Sequence, residues 1–169
     1  MSDEIVNRVA NSQLKTIDLE ELYPQGIRTS IDIKNWLFQE LILKETEFRE
    51  HLKNHNWEQY KNHYVALTCS SDAIIPSWAF MLITTYISPF SKKIVIGNLT
   101  TLETSIYHDI INNLNIEEFK NKPVIIKGCA NKPIPETAYV QLIEKLQPIT
   151  KSIMFGEACS TVPLFKNKA

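Results

Sequence analysis

Three cysteines carry the most distinctive chemistry in this sequence, because a thiolate can both hold a soft metal and attack an electrophile. Cys69 follows the apolar run Tyr64-Val65-Ala66-Leu67-Thr68. Cys129 follows Val124-Ile125-Ile126-Lys127-Gly128. Cys159 comes just past Ser152-Ile153-Met154-Phe155, after Gly156-Glu157-Ala158. The first two sit in a repeated frame: apolar run, Cys, short polar turn, then Ile75-Pro76-Ser77-Trp78-Ala79-Phe80 or Ile134-Pro135-Glu136-Thr137-Ala138-Tyr139. The spacing from Cys to Pro differs by one residue between the two copies. A thiol placed ahead of a helix N-terminus is favoured as thiolate by the partial positive charge there.

Three thiolates with an open fourth position describe a zinc-like site acting as a Lewis acid on a small molecule, or an iron–sulfur cluster with one non-cysteine position. Asp72, Glu157 or His63 would supply a fourth ligand or a proton-transfer group. There is no C-x-x-C to demand a metal. Two alternatives stay open. The cysteines pack as small buried hydrophobes in a non-catalytic, dimeric interaction module, or one of them is the nucleophile of a thiol enzyme.

Other candidates are weaker. Ser70-Ser71-Asp72 is a polar turn that would cradle an anion or cap the helix after it. His51 and His55 are four apart, but Asn54 and Asn56 flank His55 and point to a helix end with surface histidines. No G-x-G-x-x-G or G-x-x-x-x-G-K-[ST] occurs, which disfavours nucleotide sites of those kinds.

The elements that would position the thiols follow from the hydrophobic pattern. Four short β-rich runs, at Tyr64–Thr68, Lys93–Gly97, Val124–Lys127 and Ser152–Phe155, begin about 30 residues apart, the length of a strand plus its returning helix. Between them, Pro76–Ile87, Leu99–Leu114 and Pro135–Gln147 read as helices. This alternation predicts a single α/β domain: a mostly parallel sheet of four to five strands with helices on both faces. Residues 1–60 form an irregular addition packing on the core, with strands near Lys15–Leu19 and Arg28–Ile33 and a charged helix over Lys44–Asn54. Residues 61–169 form the core. Val162–Phe165 adds an edge strand or packs on a partner. In such a sheet the carboxyl ends of the strands share one edge. With spatial order 2-1-3-4 the strands before Cys69, Cys129 and Cys159 are neighbours, and the thiols converge there.

The 169 residues balance 18 basic against 19 acidic groups, no footprint for nucleic acid. Residues 1–60 carry a net −4 and residues 61–169 a net +3, so opposite parts of two subunits would attract in a homodimer. Met1 to Ala10 does not read as a signal peptide, and the most apolar stretch, Ala73–Ile87, is too short to span a bilayer. An odd number of cysteines without an export signal predicts reduced thiols in the cytoplasm.

Val65 to Phe80, Lys127-Gly128-Cys129, and above all Ser152-Ile153-Met154-Phe155-Gly156-Glu157-Ala158-Cys159-Ser160-Thr161-Val162-Pro163 resemble an uncharacterised bacterial family, DUF2480, over nearly the full length. The resemblance implies a small, bacterial, cytoplasmic, stand-alone domain. It assigns no activity, cofactor or catalytic residue.

Overall fold

The structure is a computed structural model and describes residues 13–128, 131–157 and 160–167. Its elements run β1 (Lys15–Ile17), β2 (Arg28–Asp32), α1 (Glu45–Asn54), β3 (Tyr64–Thr68), α2 (Ser77–Ile87), β4 (Lys93–Ile96), α3 (Leu99–Asn113), β5 (Pro123–Ile126), α4 (Glu136–Leu146), β6 (Ser152–Glu157) and β7 (Ser160–Lys166). The α/β class expected from the sequence is what forms, with a mostly parallel four-stranded sheet ordered β1-β5-β6-β7. Among the described residues no helix is long and apolar enough to cross a membrane.

The strand order departs from expectation. β3 and β4 belong to a second, all-parallel sheet ordered β2-β3-β4. β3 is hydrogen-bonded on one side to β2 and on the other to β4, so both its edges are filled and β5 does not pair with it. The order that would place β3 beside β5 is therefore overturned. Its physical cause lies in residues 13–32, which supply an edge strand to each sheet. Ile17 of β1 pairs with Ile126, and Ile31 of β2 pairs with Leu67.

The chain divides into two compact units. Unit 1 is residues 1–23 with 107–169, and unit 2 is residues 24–106. In unit 2 the central strand is buried on both faces, with Val65, Ala66 and Leu67 all inaccessible. α1 offers Phe48 and Leu52 to this core, and α2 offers Ala79, Ile83 and Ile87, one residue per turn. In unit 1 Val124, Ile125 and Ile126 are buried on β5, and α4 offers Ala138, Leu142 and Leu146. Each fully buried Leu or Ile contributes about 1.5–3 kcal/mol, which is why these side chains hold the βαβ geometry.

The units repeat one device. Asn62 and Asn121, 59 residues apart, both have positive φ, at 63° and 56°. Their N–H groups donate to Phe90 O and Ile149 O, again 59 apart. Pro76 and Pro135 both precede eleven-residue helices with nearly the same backbone angles. The same shift carries Ala79 onto Ala138, Ile94 onto Ile153 and Gly97 onto Gly156, both glycines at positive φ. The edge strands repeat too: Thr16-Ile17-Asp18-Leu19 matches Ser30-Ile31-Asp32-Ile33, and Leu19 and Ile33 are both fully buried.

Candidate functional site

The carboxyl edge of each sheet begins with this Ile-Asp step. As a strand ends, an aspartate can accept the N–H two residues on and start a turn. The Asp18 carboxylate accepts from Glu20 N–H at 2.9 Å, and the Asp32 carboxylate from Lys34 N–H at 3.1 Å. Beyond that the two edges differ. In unit 2 Ser70 donates its N–H (3.1 Å) and its hydroxyl (2.5 Å) to Asp32. Desolvation pushes the Asp32 carboxyl up, but the bonds from Ser70 and from Lys34 N–H outweigh it and hold the group below its usual range. In unit 1 the Lys127 ammonium lies 3.2 Å from Asp18. That hydrogen bond and charge, with Glu157 and Glu21 further out, hold Lys127 above the usual lysine value. Glu20 accepts from the N–H groups of Asn131 and Lys132.

Cys69 stands on the unit 2 edge. It is half-buried against the core that holds Phe48, Leu52 and Ile83. Its Sγ lies 3.3 Å from Ser71 Oγ. Cys129 and Cys159 lie outside the described residues. Cys69 belongs to the sheet of β3, while the strands before Cys129 and Cys159 belong to the other, so the expected delivery of three thiols by consecutive strands of one sheet does not occur. The constant 59-residue shift also places Cys69 opposite Gly128, and Ser70 opposite Cys129. The one-residue difference in Cys-to-Pro spacing is thus a true offset. At Gly128 an added Cβ would meet the Phe155 ring at 2.5 Å, so a side chain at the place that holds a thiol in unit 2 would have to displace that ring in unit 1.

Among the described residues no three His, Cys, Asp or Glu side chains gather as a metal site. Asp72 lines a cleft of about 660 Å³ with Ile42, Glu45, Ile74 and Trp78. Glu157 is exposed at the end of β6, paired with Ser160 across the hairpin. The Ser70-Ser71-Asp72 turn does not cap α2, whose N-cap is Pro76 without a side-chain bond. Ala73 to Ile75 intervene, and Ser70 ties the loop to β2 instead. His63 Nδ1 is 2.9 Å from Thr29 Oγ1. His55 is no surface histidine. It packs among Trp36, Trp57 and Tyr60, with Nε2 2.8 Å from Tyr60 Oη.

The other conspicuous surface is on unit 2 around α2. Ile74 is 91% exposed, Met81 66% and Ile96 61%. A cleft of about 510 Å³ lies among Ile75, Phe80, Met81, Thr84 and Ile96. Met81 and Ile96 line it together, and exposed apolar side chains grouped in this way mark contact surfaces more often than chance. In unit 1 Ile153, the counterpart of half-buried Ile94, is fully buried, and Phe155, the counterpart of exposed Ile96, is half-buried; there β7 pairs along β6 and places Phe165 opposite Ile153. The sequence allowed Val162–Phe165 as an edge strand or as a partner contact, and carries no local mark that β4 is left without such a strand among the described residues.

No match was found among curated proteins or among solved structures. The family described as "Protein of unknown function (DUF2480)" matches residues 3–167, and the chain belongs to it.

Proposed function

We propose that this member of the family is a non-catalytic interaction module that takes a protein partner on the α2–β4 surface of unit 2. The observation that supports the reading is the contrast between the two copies of one device. The same strand edge is covered by β7 in unit 1 and carries exposed Ile96 in unit 2, beside Met81 of α2 across a shared cleft. Cys69, opposite a glycine in the repeat and packed on the core, serves as a filler in this reading. The module is read as a bacterial cytoplasmic protein, where a free thiol such as Cys69 stays reduced.

The test is a photoreactive amino acid placed at Met81, with a control at exposed Glu50 on α1, irradiated in the source cells. A discrete adduct from position 81 that disappears with Ile96→Asp is the expected result. An adduct of twice the chain mass would identify the partner as a second copy, the dimeric form of the module. No adduct at position 81, or the same adducts at position 50, ends the reading.

A second reading is favoured by one observation. β5 and β6 are parallel neighbours, so the segments that follow them, with Cys129 and Cys159, leave the same edge of one sheet. Two thiols with Glu157 would there hold a zinc-like ion. Zinc analysis of untagged protein tests this, with retained stoichiometric zinc lost in Cys129→Ser and Cys159→Ser as its mark.

A further inference from the structure

We propose that the outer edge of β4 receives an extended segment of a partner protein, added antiparallel, with an aromatic residue opposite Ile94 and a carboxylate opposite Lys93. This rests on the interaction-module reading and names the kind of partner.

The first argument is the backbone. Gly97 N–H donates to Leu67 O at 2.8 Å. By the alternation of a parallel ladder, positions 95 and 97 turn toward β3, while Ile94 and Ile96 turn their N–H and C=O groups outward. Among the described residues no strand pairs with that side of β4. An open row of donors and acceptors is a template for a further strand.

The second argument says what such a strand looks like, because the protein contains one. Shifted by 59 residues, β4 is the first part of β6, and β6 carries β7 antiparallel: Ile153 pairs with Phe165, Phe155 with Val162 and Gly156 with Thr161. Phe165 is partly buried against the unit 1 core, as are Ile134, Tyr139, Ile143 and Phe155. The counterparts of those four in unit 2 are Ile75, Phe80, Thr84 and Ile96, and they line the open 510 Å³ cleft. An aromatic side chain on the incoming strand therefore has a place to go. Burial follows the same logic: Ile153, beneath β7, is fully buried, whereas its counterpart Ile94 is only partly so.

The third argument is charge. In unit 1 the residue opposite Lys166 of β7 is Ser152. In unit 2 that position is Lys93, next to Lys92. A copy of β7 ending in lysine would meet like charge there, and one ending in a carboxylate would meet its opposite. Lysine on an edge strand also disfavours pairing with a second β4, which points to a different chain as the occupant.

The experiment uses the full-length protein and two labelled peptides, one with the sequence of Ser160–Lys166 and one with Glu in place of its last residue, read by fluorescence anisotropy. The Glu-ended peptide should bind saturably and more tightly than the Lys-ended one. Ile96→Asp, at an exposed position that leaves the thermal melt unchanged, should weaken binding at least tenfold, and Met81→Glu should act in the same direction. Lys93→Glu should reverse the preference between the peptides, by roughly two- to fivefold, the range of an exposed ion pair. No saturable binding up to millimolar peptide, equal binding by Ile96→Asp, or an unchanged preference in Lys93→Glu overturns the proposal. A dimer that Ile96→Asp splits in sedimentation, without peptide, also overturns it by giving the edge to a second copy. If the position-81 adduct forms while the peptides fail, the module reading stands and only the strand mode is lost.

Discussion

Gly128 lies under the ring of Phe155, so near that a Cβ would stand 2.5 Å from ring carbon Cζ. The corresponding pair in unit 2 is Cys69 and Ile96. A larger residue in the loop goes with a smaller one on the strand, and the reverse. This exchange explains the half-buried thiol by packing, and it can be tested. Gly128→Ala should destabilise the protein by about 1–3 kcal/mol, the usual cost of overpacking. Phe155→Ile in the same chain should recover much of that loss. Urea melts of the two single variants and the double variant give the coupling. Simple additivity would mean that the ring is not what excludes the side chain.

Arg28 and Glu103 form the best-shielded ion pair among the described residues. Nε and Oε1 are 2.7 Å apart, and the side chains are 12% and 8% exposed. Arg28 also donates to Pro24 O and Gly26 O and lies over the Tyr64 ring. Glu103→Ala would strand a largely buried guanidinium and should cost roughly 3 kcal/mol. Arg28→Met with Glu103→Leu should lie closer to the wild type than either single change, because neither charge is then left alone. Thermal or denaturant melts decide it.

Asp32 ties the end of β2 to the loop after β3. Its folded carboxyl is held below the ordinary value of 3.8, so the ionised form is favoured by folding. That contribution is complete above the ordinary carboxylate range and disappears as pH falls through the lowered folded value. Asp32→Asn should therefore be destabilised by about 1–2 kcal/mol at pH 7, the scale of lost charge-assisted bonds. The gap from wild type should close below about pH 3.8. A gap that stays constant down to strongly acid pH would refute the assignment.

His55 titrates below its ordinary 6.5 because burial disfavours the imidazolium. Its lowered folded value means that stability is full above the unfolded histidine range and declines as pH falls toward the folded value. The imidazole signal of His55 should show its midpoint below 6.5 by NMR. Trp57→Ala, which removes the ring 4.6 Å from it, should move that midpoint back up as water enters.

Much of the architecture was legible in the residues. Phe48 and Leu52 on one face predicted α1. Ala138, Leu142 and Leu146 predicted α4, and the alternation in Arg28–Ile33 predicted β2. These signals are local, since each depends on side chains one or two turns apart. The candidate site was legible only in part. The Ile-Pro frame was visible, but pairing Cys69 with Cys129 followed the similar letters. The ladder registers and the matched turns at Asn62 and Asn121 fix the true correspondence with Gly128. His55 was misplaced for a related reason: flanking asparagines describe the helix end, and only packing brings Trp36 and Tyr60 to the ring.

By itself the sequence marked most of the strands and helices from residue 61 on, because period and turn chemistry act over a few residues. It also showed that a strand–turn–Ile-Pro–helix unit occurs twice. The tertiary structure alone decided that the strands divide into two sheets. Strand pairing is a competition for backbone donors and acceptors between segments far apart in the chain, and short edge strands such as β1 and β2 show no local mark of the neighbour they will choose. That competition filled both sides of β3, separated Cys69 from the sheet of β5 and β6, and closed β6 with β7 while leaving the matching side of β4 without a described partner.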